Sequence, residues 1–128
     1  MKFTDDMKEL ISKQLAYIAT VDNNGLPNIG PKRTMRILED GKFIYCENTG
    51  GRHHANIKDN GKIIICYVDR DNNHGYRFEG RAESYTDDEH IALAEKTVGV
   101  KPKAATIIIN IEKIYTLDSG PKAGKSIG

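Results

Sequence analysis

Residues 15–27, Leu-Ala-Tyr-Ile-Ala-Thr-Val-Asp-Asn-Asn-Gly-Leu-Pro, and residues 31–47, Pro-Lys-Arg-Thr-Met-Arg-Ile-Leu-Glu-Asp-Gly-Lys-Phe-Ile-Tyr-Cys-Glu, decide the fold. The β-rich run at 15–21 ends in Asn24-Gly25, a pair that accepts positive φ and so marks a hairpin. A second strand begins near Pro27 and runs on to Glu39-Asp40-Gly41, another turn, after which residues 42–47 return. Two consecutive hairpins make an antiparallel meander. The connections are too short for the crossovers that parallel strands require, which argues for an antiparallel β-barrel with peripheral helices.

Working outward, residues 4–14 carry a capping Thr4, an acidic first turn (Asp5, Asp6) and apolar Phe3, Met7, Leu10 and Ile11 at helical spacing. They predict an amphipathic N-terminal helix. On the other side, a short helix follows residues 48–51 and ends at Asn60-Gly61, where glycine supplies the left-handed position after a helix. The near-continuous Ile63-Ile64-Ile65-Cys66-Tyr67-Val68 predicts a strand buried on both faces. From Tyr76 the chain alternates: Tyr76, Phe78, Gly80 and Ala82 toward a core, Arg77, Glu79, Arg81 and Glu83 toward solvent as a salt-laced face.

Thr86 and Glu89 form a capping box, predicting a helix over residues 87–98 that Gly99 and Pro102 end. The last strand spans residues 104–117, with Ile107, Ile109 and Ile111 at period two. About six strands result, with helices at the N-terminus, after strand three or four, and before the last strand. The whole of residues 1–128 reads as one domain, and residues 119–128, rich in Gly, Ser and Lys, read as a mobile or partner-contacting tail.

The segment that carries chemistry is Asn48-Thr49-Gly50-Gly51-Arg52-His53-His54-Ala55-Asn56. Two glycines before an arginine at a helix start leave backbone N–H groups without helical partners. Those of Gly50, Gly51 and Arg52 can face a phosphate, the helix dipole favours its charge, and Arg52 can clamp it with two hydrogen bonds. Plain turn chemistry is the competing reading of such a corner. His53 and His54 point in different directions on a helix, which argues against a shared metal site.

Lys plus Arg number 19 against 18 acidic residues, a net charge of +1. That balance gives no electrostatic case for nucleic acid or a membrane surface, so any anion selectivity is local. Cys46 and Cys66 lie in apolar runs with no C-x-x-C pair, as expected of buried, reduced thiols in a cytoplasmic protein. The N-terminus lacks a signal-type apolar core, and Ile107-Ile108-Ile109 is far too short to span a bilayer. The expectation is a soluble, uncleaved protein with no metal site.

In order, the N-terminal helix, the Leu-Ala-Tyr-Ile-Ala-Thr-Val strand, the Asp-Asn-Asn-Gly-Leu-Pro turn, the basic strand, the Asp-Gly hairpin, Phe-Ile-Tyr-Cys, residues 48–57 and Gly-Tyr-Arg-Phe-Glu-Gly-Arg-Ala resemble the pyridoxamine 5′-phosphate oxidase-like FMN-binding split-barrel family. The similarity covers roughly residues 8–115 and is nearest to short, single-domain members. It implies an antiparallel split β-barrel and a homodimer with FMN in a groove between subunits. It also implies that Lys32, Arg33 and Thr34 lie beside the isoalloxazine and phosphate, that Asn48, Thr49, Gly50, Gly51, Arg52 and His53 form the phosphate corner, and that Asn56 is the family's polar helix residue.

Lys32 and Arg33 point to opposite faces of a strand, so one faces the ligand unless a bulge intervenes, and periodicity does not choose between them. No Ser-His-Asp set, paired carboxylates or metal motif offers rival chemistry, and no catalytic residue is assigned. The expected function is that of a flavoprotein, an oxidoreductase or electron carrier whose small-molecule or protein electron acceptor is unidentified. The alternative is a non-catalytic binding module for a flavin or another phosphorylated cofactor; the deazaflavin F420 and haem are the alternative cofactors. The sequence ends at Ser-Gly-Pro-Lys-Ala-Gly-Lys-Ser-Ile-Gly without the arginine-bearing segment of the enzymes that oxidise pyridoxamine phosphate, so that reaction is not expected.

Overall fold

A computed structural model describes residues 1–127. Its elements are α1 (Asp5–Lys13), β1 (Ala16–Val21), β2 (Pro27–Lys32), β3 (Arg36–Glu39), β4 (Lys42–Glu47), α2 (Arg52–Asn60), β5 (Lys62–Asp69), β6 (His74–Tyr85), α3 (Asp88–Val98) and β7 (Ala105–Thr116). The strands form one antiparallel sheet in the order β2-β1-β5-β6-β7-β4-β3.

The edge strands β2 and β3 are consecutive in sequence, with only residues 33–35 between them. Four Cα steps of 3.8 Å reach at most about 15 Å. The two edges of a seven-stranded sheet are thus held within one short turn of each other, which forces the sheet to curl into a barrel split along this seam. The crossing explains why seven strands form where about six were expected: the run from Pro27 to Leu38 breaks after Lys32, where Met35 N–H turns back to Lys32 C=O. Thr34 seals the gap, its Oγ1 accepting from Cys46 N–H at 3.1 Å.

The inward face packs Phe3 from the N-terminal arm against Phe43 and Phe78, with ring centroids 5.0 and 5.6 Å away, while Tyr67 adds a fourth ring. Each fully buried large apolar side chain contributes about 1.5–3 kcal/mol. Thr4 caps α1 through Met7 N–H, so Met7 and Leu10 meet this core.

Burial on both faces was expected of β5, but there it alternates. Ile63, Ile65 and Tyr67 are buried, whereas Ile64 and Val68 are exposed and Cys66 is half-buried. The strand covered on both sides is β4, whose Phe43, Tyr45 and Glu47 point inward while Ile44 and Cys46 lie under Ala94 of α3 and its neighbours Leu93 and Val98. At the start of α3 the cap is Asp87, which accepts from His90 N–H, one residue later than the expected Thr86. Gly80 sits where β6 and β7 shift register, and a Cβ there would come within 2.1 Å of Asn110 C=O. The C-terminal residues fold back on β7, with Gly124 N–H bonded to Thr116 C=O and Ile127 N–H to Ile114 C=O.

Candidate functional site

Five of the residues singled out in the sequence, Lys32, Arg33, Thr34, Asn48 and Thr49, meet at the seam. A cleft of about 280 Å³ is lined by Pro31, Lys32, Arg33, Thr34, Cys46, Asn48 and Thr49. It lies where the β2–β3 crossing faces the end of β4, so backbone closure and site are the same place in the fold.

The pairing of β1 with β2 puts Ala16, Ile18 and Thr20 on the same face as Lys32, Gly30 and Asn28, the inward one. Lys32 therefore points in. Its ammonium lies 3.6 Å from Glu47 Oε1 and 5.2 Å from the centroid of the Tyr45 ring. Arg33 is exposed in the crossing turn, and its carbonyl accepts from Arg36 Nη1.

The corner at residues 48–51 differs from the open anion nest that the glycines suggested. Glu47, 1% exposed, turns its carboxylate back into the corner, and Oε2 accepts from Thr49 N–H (3.3 Å), Thr49 Oγ1 (3.3 Å) and Gly50 N–H (3.1 Å). An internal anion thus holds the amide that Gly50 was expected to offer. Asn48 is also engaged, its Oδ1 accepting from Lys103 N–H at 3.0 Å. The α2 N-terminus itself has no side-chain cap, and Arg52, in its first turn, is exposed and makes no ion pair among the described residues.

Behind the corner runs a buried chain. Asn56 Nδ2 donates to Thr20 Oγ1 at 3.0 Å, and Thr20 Oγ1 lies 2.8 Å from His53 Nδ1. The contact pairs Thr20 and His53 in either ring tautomer, with the hydroxyl donating to Nδ1 or accepting from it. His53 Nε2 is buried without a partner and faces Gly30, where a Cβ would stand 3.5 Å away. Burial, seconded by Lys32, holds His53 below the usual histidine range against the pull of Glu47. His54 Nε2 pairs with Ser84 Oγ at 2.8 Å, and burial, then Lys58, lowers its pKa too.

Lys32, Arg33, Thr34, Asn48 and Thr49 thus share one cleft; Gly50, Gly51 and Arg52, which follow Thr49 in the chain, are not among its lining residues; His53 and Asn56 are joined through Thr20 in a hydrogen-bonded chain. Sequence reasoning missed Glu47 and Thr20. A signal for Glu47 was present: counting by two from the inward Phe43 and Tyr45 reaches it.

An antiparallel sheet whose two edges meet at a short basic crossing is a split β-barrel. The sequence profile of the pyridoxamine 5′-phosphate oxidase family matches residues 3–118, and the chain belongs to that family. It is 50% identical to HupZ of Group A Streptococcus, whose crystal structure aligns over 95% of this chain and 99% of that one with a TM-score of 0.86. A putative pyridoxamine 5′-phosphate oxidase from Lactobacillus delbrueckii is 32% identical over 89% of this chain and 93% of its own, with a TM-score of 0.81. A protein of Methanocaldococcus jannaschii is 31% identical over 99% of this chain and 89% of its own length. No helix among the described residues is long and apolar enough to cross a membrane.

Proposed function

We propose that this chain is an FMN-binding flavoprotein that acts as a homodimer and passes electrons through FMN, as an oxidoreductase or electron carrier. The observation that carries this reading is the seam itself: an uncapped α2 N-terminus with a free Arg52, next to a cleft walled by Lys32, Arg33 and Thr34. A phosphate monoester carries nearly two negative charges at neutral pH, and its desolvation demands several charged or N–H donors. The α2 amides and the Arg52 guanidinium supply them, and Thr34 and Asn48 add polar groups along the cleft. The redox chemistry is FMN's own, and the residues of this chain hold and orient it.

An uncovered apolar face supports the homodimer. Strand pairing sets Ile29, Ala19 and Ile64 in one row across β2, β1 and β5, and Pro31, Tyr17 and Cys66 in the next. Ile29 is 74% exposed, Tyr17 46% and Val68 47%. A patch of this kind fits a second copy of the chain seated next to β2, whose end lines the cleft.

The test is an absorption spectrum of the purified protein, with the released ligand identified by mass. A yellow protein releasing FMN, or one that takes up added FMN, is expected; a colourless protein that ignores FMN rejects the reading, and the spectrum and mass separate FMN from F420 or haem. One observation favours a non-catalytic module instead: His53 Nδ1 and His54 Nε2 are already committed to Thr20 and Ser84. Anaerobic reduction followed by candidate acceptors decides between the two, because a pure binder reoxidises only with oxygen.

A further inference from the structure

Glu47 does more than end a strand. Its carboxylate sits in the corner that the glycines build, and one of its oxygens takes three hydrogen bonds from Thr49 and Gly50. The other oxygen is buried with no hydrogen-bond partner, 3.6 Å from Lys32 Nζ. A buried carboxylate in this position is half satisfied, and such a group is costly to keep. His53 Nε2, a second buried atom without a partner, faces Gly30 of β2, on a ring that feels the Glu47 charge.

We propose that Glu47 is a built-in occupant of the phosphate seat: the ligand's phosphate replaces its carboxylate on the Thr49 and Gly50 amides, and Glu47 sets how strongly the site prefers a phosphorylated ligand. This rests on the flavin reading above and deepens it. The exchange conserves the number of anions on the corner amides. The displaced carboxylate has the ammonium of Lys32, 3.6 Å from its unpartnered oxygen, to turn to as the phosphate enters. The carboxylate already acts electrostatically on the His53 ring, raising its pKa against the effect of burial.

As a consequence, the apparent affinity for a phosphate-bearing ligand contains the cost of moving Glu47, while a ligand lacking phosphate leaves the corner undisturbed. Removing the negative charge should therefore strengthen FMN binding and leave riboflavin binding alone. An amide side chain still accepts from Thr49 and Gly50, but as a neutral acceptor it holds them less tightly than a carboxylate does.

The experiment compares FMN and riboflavin affinities by quenching of flavin fluorescence for the wild-type protein and Glu47→Gln. The expected result is an FMN-to-riboflavin preference that rises on the order of tenfold in the variant, as removal of a charged competitor implies. A preference that is unchanged or falls overturns the proposal, because a merely structural loop clamp would weaken both ligands together. A second measurement avoids the variant altogether. In the wild-type protein, the Thr49 and Gly50 amide resonances should shift with FMN and with inorganic phosphate but not with riboflavin. FMN binding with both resonances unmoved rejects the role of Glu47 and leaves the flavin reading standing. Failure to bind FMN, with the resonances still moving on addition of inorganic phosphate, rejects the flavin reading and leaves Glu47 as occupant of an anion seat.

Discussion

Lys32 Nζ lies 3.6 Å from Glu47 Oε1 across the seam, although β2 and β4 share no backbone ladder. The pair is an electrostatic clasp at the one place where the barrel lacks a strand-to-strand hydrogen-bond ladder. Thr34 adds the neutral half of the same closure through Cys46. Fold closure and charge placement at the cleft are therefore coupled.

Replacing Lys32 with Met removes the cation and leaves a carboxylate that is 1% exposed without its counter-charge. Breaking one side of a buried pair costs about 3 kcal/mol, so the urea midpoint of Lys32→Met should fall accordingly. Adding Glu47→Gln should restore much of the loss, since no unpaired charge then remains. An unchanged midpoint in the single variant would show that the clasp contributes nothing.

Arg52 is exposed at the start of α2, so Arg52→Ala should leave the melting temperature nearly unchanged. If its guanidinium meets the FMN phosphate, affinity should drop by about 1.5–3 kcal/mol, the range for a hydrogen bond to a charged group. Titration with FMN checks this, and equal affinity would remove Arg52 from the site.

A second cluster ties both ends of the chain to the start of β6. His74 Nε2 meets Asp6 Oδ2 at 2.6 Å and its Nδ1 meets Asp118 Oδ1 at 2.8 Å, while Tyr76 Oη–H also donates to Asp6. Burial lowers the His74 pKa, but the bonds to Asp118 and Asp6 outweigh it and raise the group overall. Asp6 is lowered chiefly by Tyr76, and Asp118 chiefly by the Gly75 N–H. Glu9, Lys13 and Asp69 line the same pocket.

A raised histidine stabilises fully below its unfolded pKa of about 6.5 and loses that contribution as pH climbs through the folded value. Lowered carboxylates stabilise above about pH 4 and lose the contribution on acidification. Thermal stability from this cluster should peak between about pH 4 and 6.5 and decline as the pH rises above that window. Melting curves of the wild-type protein and His74→Gln across that range test it; parallel profiles would exclude His74 as the source.

Much of the architecture was legible because it is local. Asn24-Gly25, Asp40-Gly41 and the alternation from Tyr76 each encode a strand or turn within a few residues. The basic crossing at Lys32-Arg33-Thr34 also pointed to residues that line the cleft. What escaped was set by partners distant in sequence. Whether β4 or β5 is covered twice depends on where α3 lands, and both strands are equally apolar as strings of letters. Glu47 escaped because a glutamate at a strand end reads as solvated, and only the inward pleat shared with Phe43 and Tyr45 buries it.

The unpartnered row across β2, β1 and β5 gives the last prediction. Ile64 sits between Ala19 on β1 and Glu79 on β6, and Ile29 extends the row to the sheet edge at 74% exposure. Neither side chain packs into the barrel core, so charging them should cost little folding stability while placing unpaired charges in any interface built on this face. Ile29→Lys combined with Ile64→Glu should convert a species of about twice the 14.3 kDa chain mass into a monomer with an intact far-ultraviolet circular dichroism spectrum. Light scattering after size-exclusion chromatography reads the mass directly. A wild-type monomer at micromolar concentration, or a double variant that remains dimeric, would move the interface away from this face; loss of FMN binding together with the dimer would place the cofactor where the two copies meet.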